Sequence, residues 1–210
     1  MLIVGAKGFA KEVLEILYQL NSVNDVVFYD DVNKDSPEIL FKSFKILKNI
    51  DEASSYLKLN DKKFNIGVGN PLIRKALTSK FESIGGIYSS IISPKATIGN
   101  FGNSIASGCN IMSGVVITSD IIIQKGCLIN LNCTIGHDTI IGEFCELSPG
   151  VHISGNCSIG RLTFIGTGAV VLPNIKVGNN VVIGAGAVVT KNVNDNETVV
   201  GIPAKSILKS

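Results

Sequence analysis

The feature that most constrains the fold of this chain is a six-residue repeat between Ile105 and Val193. An aliphatic residue returns at every sixth position, fifteen times without a miss. These positions are Ile105, Ile111, Ile117, Ile123, Ile129, Ile135, Ile141, Leu147, Ile153, Ile159, Ile165, Val171, Val177, Ile183 and Val189. A period of six matches neither the 3.6-residue period of a helix nor the alternation of a hairpin. It is typical of a hexapeptide parallel β-helix, in which about three hexads complete one coil of a triangular prism.

A second column of small or compact residues lies four positions later in each hexad. Its members are Cys109, Val115, Ile121, Cys127, Cys133, Thr139, Cys145, Val151, Cys157, Thr163, Ala169, Ile175, Val181, Ala187 and Val193. We expect both columns to point inward, with the second near the corners of the prism, and the Gly and Asn residues between them to occupy left-handed turns. All five cysteines fall in this second column, so we interpret them as small buried hydrophobic residues.

Upstream of the repeat, apolar strand-like runs alternate with helical patterns. The predicted elements are strands at 2–5, 25–29 and 64–68 and helices at 9–20 and from Pro71 onward. Asn70 can cap the second helix, whose buried face is expected to carry Ile73, Leu77 and Phe81. The alternation predicts a small Rossmann-like parallel α/β domain over residues 1–88, followed by the β-helix and a C-terminal tail over 89–210.

Polar and glycine residues follow the three predicted strands. The segments are Gly5-Ala6-Lys7-Gly8-Phe9, Asp30-Asp31 and Gly69-Asn70. Ligands of parallel sheets bind at these carboxyl ends. Lys7 stands where the Gly-x-Gly-x-x-Gly fingerprint needs its second glycine, which disfavours NAD, but a glycine turn before a helix still suits a phosphate. Asp30 is suitably placed to bind a ribose hydroxyl. The alternative is that the glycines only allow the strand and helix to pack closely.

The chain has two histidines, His137 and His152. His137 is expected to face outward and is followed by Asp138. An exposed imidazole next to a carboxylate can act as a general base near neutral pH. The alternative is a solvent-exposed histidine without a function. His152 directly follows the inward Val151 and is expected at a corner, in a structural or interface role.

Three further positions relate to His137 through the repeat. Asn130 lies on the preceding hexad. Glu146 is half a coil further on, so we expect it to share a cleft with His137 only across a subunit interface. Gly155 is eighteen residues after His137 and should stack directly above it. A missing side chain there would leave a groove for a long, thin cofactor arm.

Composition excludes several classes of protein. The chain is 45% hydrophobic and 17% charged, so it can bury a core, and its net charge of +2 is too small to indicate nucleic-acid binding. The first residues lack a basic segment followed by a long apolar run. We therefore expect neither a signal peptide nor a membrane span, and a cytoplasmic location.

These residues resemble those of the PglD/NeuD-like sugar acetyltransferases, which are hexapeptide-repeat acyltransferases with a left-handed β-helix and an N-terminal nucleotide-sugar domain. The matching motifs are Gly5-Ala6-Lys7-Gly8-Phe9-Ala10, Asp30-Asp31, Gly67-Val68-Gly69-Asn70, Ile73-Arg74-Lys75, Ile135-Gly136-His137-Asp138, Ile141-Gly142-Glu143-Phe144 and Val200-Gly201-Ile202-Pro203-Ala204-Lys205. The resemblance covers essentially the whole chain.

The resemblance implies a homotrimer, with active sites between subunits, that transfers an acetyl group from acetyl-CoA to a sugar amine or hydroxyl without a metal. It implies His137 as the catalytic base, Asp138 as the acid that raises its basicity, and Asn130 beside the acceptor. The implied nucleotide-sugar contacts are Lys7, Gly8, Phe9, Asp30, Asp31 and Gly69, and the implied coenzyme A contacts are Glu146, Gly155, Thr167 and Ala185. Many relatives carry a second histidine where this chain has Glu146.

Within this family, the leading interpretation is N-acetylation of a nucleotide-linked amino sugar, of the UDP-4-amino-sugar type, for bacterial surface glycans. The reason is that the nucleotide site is intact. O-acetylation of sialic acid or another surface sugar is the alternative. A non-catalytic sugar-nucleotide-binding scaffold is an alternative of another class, but it would not need the His137–Asp138 pair. A metal-dependent β-helix hydratase is disfavoured, because it needs three histidine ligands and the chain has two.

Overall fold

The computed structural model of the protein describes residues 1–33 and 37–207 and divides the chain into two compact units. The first unit spans Met1–Ile91, and the second begins at Ile92. The sequence predicts this boundary after residue 88. Within the described ranges, no helix is long and apolar enough to cross a bilayer.

Over the residues that the structure describes, the first unit is an α/β sheet with three helices. The helices are α1 (Gly8–Gln19), α2 (Ile50–Leu59) and α3 (Pro71–Ser83). The strands are β1 (Leu2–Val4), β2 (Val27–Tyr29), β3 (Ile39–Leu40), β4 (Phe44–Leu47), β5 (Lys63–Ile66) and β6 (Ile87–Tyr88). Their order across the sheet is β3-β4-β2-β1-β5-β6. The edge strand β3 pairs antiparallel with β4, and the other pairs between these described strands are parallel. This confirms the predicted small parallel sheet.

Helix α3 begins as the sequence predicts and buries Phe81 as expected, but its buried face also includes Arg74 and Thr78. The side chain of Asn70 accepts hydrogen bonds from the first-turn N–H groups, and Pro71 is the first helical residue. Ile73, expected in the core, is 51% exposed, whereas Arg74 is fully buried. The guanidinium of Arg74 donates to the backbone carbonyls of Val68 and Gly69. These hydrogen bonds offset the cost of burying a charged group, so a hydrophobic periodicity count cannot identify this face.

The second unit is a parallel β-helix built from very short strands. They are β7 (Ile91–Ile92), β8 (Thr97–Ile98), β9 (Ser104–Ile105), β10 (Asn110–Ile111), β11 (Val116–Ile117), β12 (Ile122–Ile123), β13 (Leu128–Ile129), β14 (Thr134–Ile135), β15 (Ile140–Ile141), β16 (Glu146–Leu147), β17 (His152–Ile153), β18 (Ser158–Ile159), β19 (Phe164–Ile165), β20 (Val170–Val171), β21 (Lys176–Val177), β22 (Val182–Ile183), β23 (Val188–Val189), β24 (Thr198–Val200) and β25 (Lys205–Ser206). Through most of the prism each strand pairs in parallel with the strand eighteen residues later, as in Ile111↔Ile129.

The strands form the three faces of the prism. Face 1 has the order β25-β24-β22-β19-β16-β13-β10-β7, face 2 the order β23-β20-β17-β14-β11-β8, and face 3 the order β21-β18-β15-β12-β9. We name each corner by the faces that it joins, so that corner 2–3 follows a face 2 strand and precedes a face 3 strand. Every residue of the second column is buried, and in the aliphatic column only Ile105, in the first coil, is partly exposed. The predicted left-handed hexapeptide β-helix is confirmed.

The structure gives the cysteines a role beyond the small buried hydrophobic residues that the sequence suggests. Each thiol donates to a backbone carbonyl fifteen residues later. The pairs are Cys109–Gln124 (3.2 Å), Cys127–Gly142 (3.0 Å), Cys133–Ser148 (3.1 Å), Cys145–Gly160 (3.0 Å) and Cys157–Leu172 (3.2 Å). The hydroxyls of Thr139 and Thr163 make the equivalent bonds. Cysteine and threonine therefore act at these positions as short donors between successive coils. Burial raises the pKa of the Cys133 thiol to about 11.

Candidate active site

His137 and Asp138 form the turn between β14 and β15, at corner 2–3. Asp138 has a left-handed backbone with φ of 57° and stacks in register with Asp120 and Asn156, which have φ of 56° and 57°. Asp and Asn tolerate this conformation better than most residues. The two side chains are 65% and 61% exposed, and Nδ1 of His137 lies 2.7 Å from Oδ2 of Asp138. His137 therefore faces outward beside a carboxylate, as the spacing predicts.

The hydrogen bond to Asp138 determines what the imidazole can do. A carboxylate only accepts hydrogen bonds, so in neutral His137 the proton is carried on Nδ1 and the lone pair on Nε2. A neighbouring carboxylate also stabilises the imidazolium that forms when Nε2 takes up a proton. The pair can therefore serve as a general base toward a group that approaches from solvent.

Gly155 lies in the next coil at the same corner, but it does not leave an open groove. A Cβ placed on Gly155 would lie 2.5 Å from Nε2 and 2.6 Å from Cε1 of His137. The space expected for a cofactor arm is therefore filled by the imidazole itself. The spacing correctly identifies the stacked pair, but it cannot show which side chain occupies the gap. In the structure, the bare Cα of Gly155 is a platform for the ring of His137.

The other predicted acetyl-transfer residues lie elsewhere on the prism. Asn130 follows β13 at corner 1–2, where its side-chain oxygen accepts from the N–H of Leu131 at 2.7 Å. Thr167 and Ala185 lie at the same corner in later coils, and Glu146 lies in β16 on face 1. Within one chain, face 2 separates corner 1–2 from His137. The structure thus brings His137, Asp138 and Gly155 together but not these four residues.

Corner 1–2 carries a strip without side chains. Gly150, Gly168 and Gly186 stack there in successive coils, all with φ of 67° to 69°. A Cβ on Gly168 or Gly186 would meet nothing within 4 Å, and the adjacent Thr167 and Ala185 are exposed. An extended ligand arm could therefore lie against the backbone here. This strip, and not the position of Gly155, is the open surface.

His152 does not lie at a corner. It is the first residue of β17, where it is exposed on face 2, and its Nδ1 is 2.9 Å from Oγ1 of Thr134 in the coil below. Side chains alternate along a strand, so the residue directly before an inward aliphatic residue must point outward from a flat face. The corner prediction for His152 was therefore wrong.

A second candidate site lies in the first unit, at the carboxyl ends of β1, β2 and β5. It is a cavity of about 270 Å³ lined by Val4, Gly5, Ala6, Lys7, Tyr29, Asp30, Asp31, Val32, Asn33, Gly67, Val68, Ile73 and Leu77. Of the predicted substrate-binding residues, Lys7, Asp30 and Asp31 line it, whereas Gly8, Phe9 and Gly69 do not. Ile73 and Leu77, predicted as core residues, are part of the wall.

The glycines near this cavity have different roles. A Cβ on Gly8 would meet nothing within 4 Å, so close packing does not explain that glycine. At Gly67 the same atom would lie 2.5 Å from Cβ of Ala10, so close strand–helix packing does explain it. The N-terminus of α1 has no side-chain cap from Lys7, which leaves its backbone N–H groups for an anionic ligand.

The two aspartates at the end of β2 are held differently. Asp30 is buried, and its carboxylate accepts from the backbone N–H groups of Val32 and Asn33 and from the Asn33 side chain at 2.8–2.9 Å. The side-chain oxygen of Asn33 in turn contacts Nζ of Lys7. Asp30 thus organises the loop that borders the cavity, and Asn33, which the sequence does not single out, connects it to the glycine loop.

Asp31 takes part in a partly exposed network with Tyr29 and Lys80. Its Oδ2 accepts from the Tyr29 hydroxyl at 2.7 Å and from Nζ of Lys80 at 2.8 Å. Burial by itself would raise the pKa of Asp31, but the hydrogen bonds from Lys80 and Tyr29 outweigh it and lower the pKa below its usual range. Asp31 is therefore an anion at neutral pH, directly at the edge of the cavity.

Two family models match parts of the chain. The family model described as the PglD N-terminal domain matches residues 1–81, and the model described as bacterial transferase hexapeptide (six repeats) matches residues 138–171 and 156–191. No curated protein sequence matches the chain.

Several solved structures are similar to the whole chain. The acetyltransferase domain of PglB from Neisseria gonorrhoeae, also solved with acetyl coenzyme A, is 30% identical over 98% of both chains, with a TM-score of 0.86. WeeI from Acinetobacter baumannii is 30% identical over 98% of both chains, with a TM-score of 0.89. A mutant perosamine N-acetyltransferase from Caulobacter crescentus, in complex with CoA and GDP-perosamine, is 25% identical over 99% of this chain and 96% of its own, with a TM-score of 0.90.

The β-helix and the repeat matches together define an acyltransferase of the hexapeptide-repeat class. More narrowly, the chain belongs to the PglD/NeuD-like sugar acetyltransferases, and it is an acetyl-CoA-dependent enzyme. In the part of the chain that the structure describes, no group of three or more His, Cys, Asp or Glu side chains could hold a metal ion.

Proposed function

We propose that the protein transfers the acetyl group of acetyl-CoA to the amino group of a nucleotide-linked sugar, with His137 as the general base. The observation that carries the proposal is the hydrogen-bonded pair of His137 and Asp138, 2.7 Å apart on an exposed corner, with the imidazole held against Gly155. A non-catalytic scaffold would not need this pair.

Direct transfer accounts for the proposed chemistry. Nε2 of His137 would accept the proton that the sugar nitrogen loses as it attacks the thioester carbonyl, and Asp138 would stabilise the imidazolium. The N–C bond forms as the C–S bond breaks, and the proton passes to the leaving thiolate. A covalent cysteine intermediate has no support, because all five thiols are buried and donate to backbone carbonyls.

The cavity of the first unit is proposed as the site of the nucleotide. The uncapped N-terminus of α1 and the side chain of Lys7 suit a diphosphate, and the exposed Ile73 together with the partly buried Leu77 offers an apolar wall for a base. Gly8 and Phe9 are the first residues of α1, directly after Lys7, and Gly69 directly follows the lining residue Val68. The related perosamine N-acetyltransferase is described with GDP-perosamine, which supports a nucleotide-linked amino sugar as the acceptor. The proposed substrate is a UDP-linked 4-amino sugar, and the assay below identifies the nucleobase.

We further propose that a homotrimer completes the acetyl-transfer site. The predicted residues occupy corners 1–2 and 2–3 and, for Glu146, face 1. A neighbouring subunit would therefore have to present its corner 1–2, with Asn130, Thr167 and Ala185, or its face 1, with Glu146, to His137. The exposed face 3 pair Ile122 and Ile140, which are 44% and 42% exposed and adjacent in register, supports an apolar interface next to corner 2–3.

Consumption of acetyl-CoA in the presence of UDP-, GDP- and TDP-linked 4-amino sugars, with free sialic acid included, tests the proposal. Turnover with one nucleotide-linked amino sugar, and an N-acetyl group in the product, is the expected result. Turnover with free sialic acid alone would replace N-acetylation by O-acetylation. Binding of a nucleotide sugar without any turnover would support a scaffold instead. Light scattering during size-exclusion chromatography tests the trimer, and a monomer would contradict it.

A further inference from the structure

Thr139 is a fully buried polar residue directly after the His137–Asp138 turn. Its Oγ1 lies 3.3 Å from the carbonyl oxygen of His137 and 3.3 Å from that of Ser154. The same oxygen accepts from the backbone N–H of Cys157 at 3.3 Å. One hydroxyl group thus donates to and accepts from backbone groups of two successive coils.

Those backbone groups belong to the two turns that hold the imidazole. One turn carries His137, and the other carries Gly155 between Ser154 and Asn156. The N–H of Asn156 also donates to the carbonyl of His137, at 2.7 Å. Because the ring lies within 2.5 Å of the place that a Cβ on Gly155 would take, a small change in the separation of these turns would move Nε2.

We propose that Thr139 is a positioning residue for acetyl transfer, whose buried hydroxyl fixes the separation between the backbone of His137 and the turn that carries Gly155. The proposal rests on the proposed role of His137 as the general base. It assigns control over the direction of Nε2 to a fully buried residue that points into the prism.

The chain contains a matched control. Thr163 is also fully buried in the second column, its Oγ1 donates to the carbonyl of Gly178 at 2.9 Å, and it accepts from the N–H of Val181 at 3.3 Å. It lies at corner 3–1, between β18 and β19, and contacts neither His137 nor Gly155. Removal of either hydroxyl therefore weakens the same kind of bond between coils, but only Thr139 is connected to the imidazole.

The experiment compares Thr139→Val with Thr163→Val and with the hydroxyl-retaining Thr139→Ser. We expect Thr139→Val to lower kcat about tenfold with KM for both substrates within about twofold of wild type, because misplacement of a catalytic group acts on the transition state. Thr163→Val should lose a similar amount of thermal stability and keep wild-type kcat. Thr139→Ser should recover most of the lost kcat.

Equal kcat values for Thr139→Val and Thr163→Val would overturn the positioning role. If Thr139→Val does not fold, Thr139→Ala removes the same hydroxyl without an added methyl group and is expected to show the same loss of kcat. His137→Ala is measured alongside. Wild-type turnover in that variant would refute the proposed function itself, whereas an inactive His137→Ala with a fully active Thr139→Val would refute only the role of Thr139.

Discussion

The substitution of Gly155 by alanine tests how the imidazole of His137 is held. The added Cβ would lie 2.5 Å from Nε2, whereas ordinary contacts between such atoms begin at about 3.4 Å. The ring must therefore move by roughly 1 Å, and a displacement of that size can lower turnover by about 10²-fold. Gly155 is not among the residues with positive φ, so the backbone itself accepts alanine. We expect the variant to fold with wild-type thermal stability and to lose about two orders of magnitude in kcat.

A double-mutant cycle separates displacement of the ring from any other effect of the methyl group. In a His137→Ala background there is no imidazole to displace, so Gly155→Ala should cause little further loss in kcat. Steady-state acetyl transfer of the four proteins, with thermal melting as the control for folding, provides the comparison. If the two substitutions multiply their losses, the methyl group acts on something other than His137, such as a bound substrate, and the platform role of Gly155 is refuted.

Two further predictions concern stability. Cys127→Val should lower the free energy of unfolding by about 1 kcal/mol, because it removes the thiol that donates to the carbonyl of Gly142. Valine already occurs in the same column, so the side chain itself fits. Cys127→Thr keeps a donor and should retain most of the wild-type stability in urea titrations. Equal stability of Cys127→Val and wild type would show that the thiol is only a small hydrophobic residue. Asp31→Asn should remove a pH-dependent contribution below about 1 kcal/mol, since the pair with Lys80 is partly exposed. The pKa of Asp31 is lowered in the folded state, so its contribution to the free energy of unfolding is present above about pH 4 and disappears as the pH falls through the folded pKa. Urea titrations from pH 2 to 7 measure this dependence. If the free energy of unfolding changes with pH in parallel for wild type and Asp31→Asn, the network is contradicted.

The β-helix could be predicted from the sequence because its signal is long and has one physical cause. Each hexad places one aliphatic residue against its equivalent in the next coil. No other fold accounts equally well for fifteen uninterrupted repeats of this kind. Strands β3, β4 and β6 were not predicted because they combine a short length with exposed residues, whereas the short β1 and β2 are continuous, largely buried apolar runs. Strands β3, β4 and β6 have two to four residues. Helix α2 nevertheless has a recognisable signal, since Asn49 caps it and Glu52 stands three residues later.

For the candidate site, the spacing predicts which residues stack but not how their atoms fill the space between them. It correctly places His137 and Asp138 on an exposed turn and Gly155 directly above them. It cannot show that the imidazole lies on Gly155, because that depends on the side-chain torsions of His137 and on the hydrogen bond to Asp138. The burial of Arg74 was missed for a related reason, since carbonyl partners supplied by a loop cannot be read from hydrophobic periodicity.

The central claim is that His137 acts as the general base of acetyl transfer, and turnover of His137→Ala with its acceptor sugar tests it most directly. We expect the variant to fold normally, because the side chain is 65% exposed in the single chain, and kcat to fall by about 10² or more. Near-normal turnover in that variant would contradict the account.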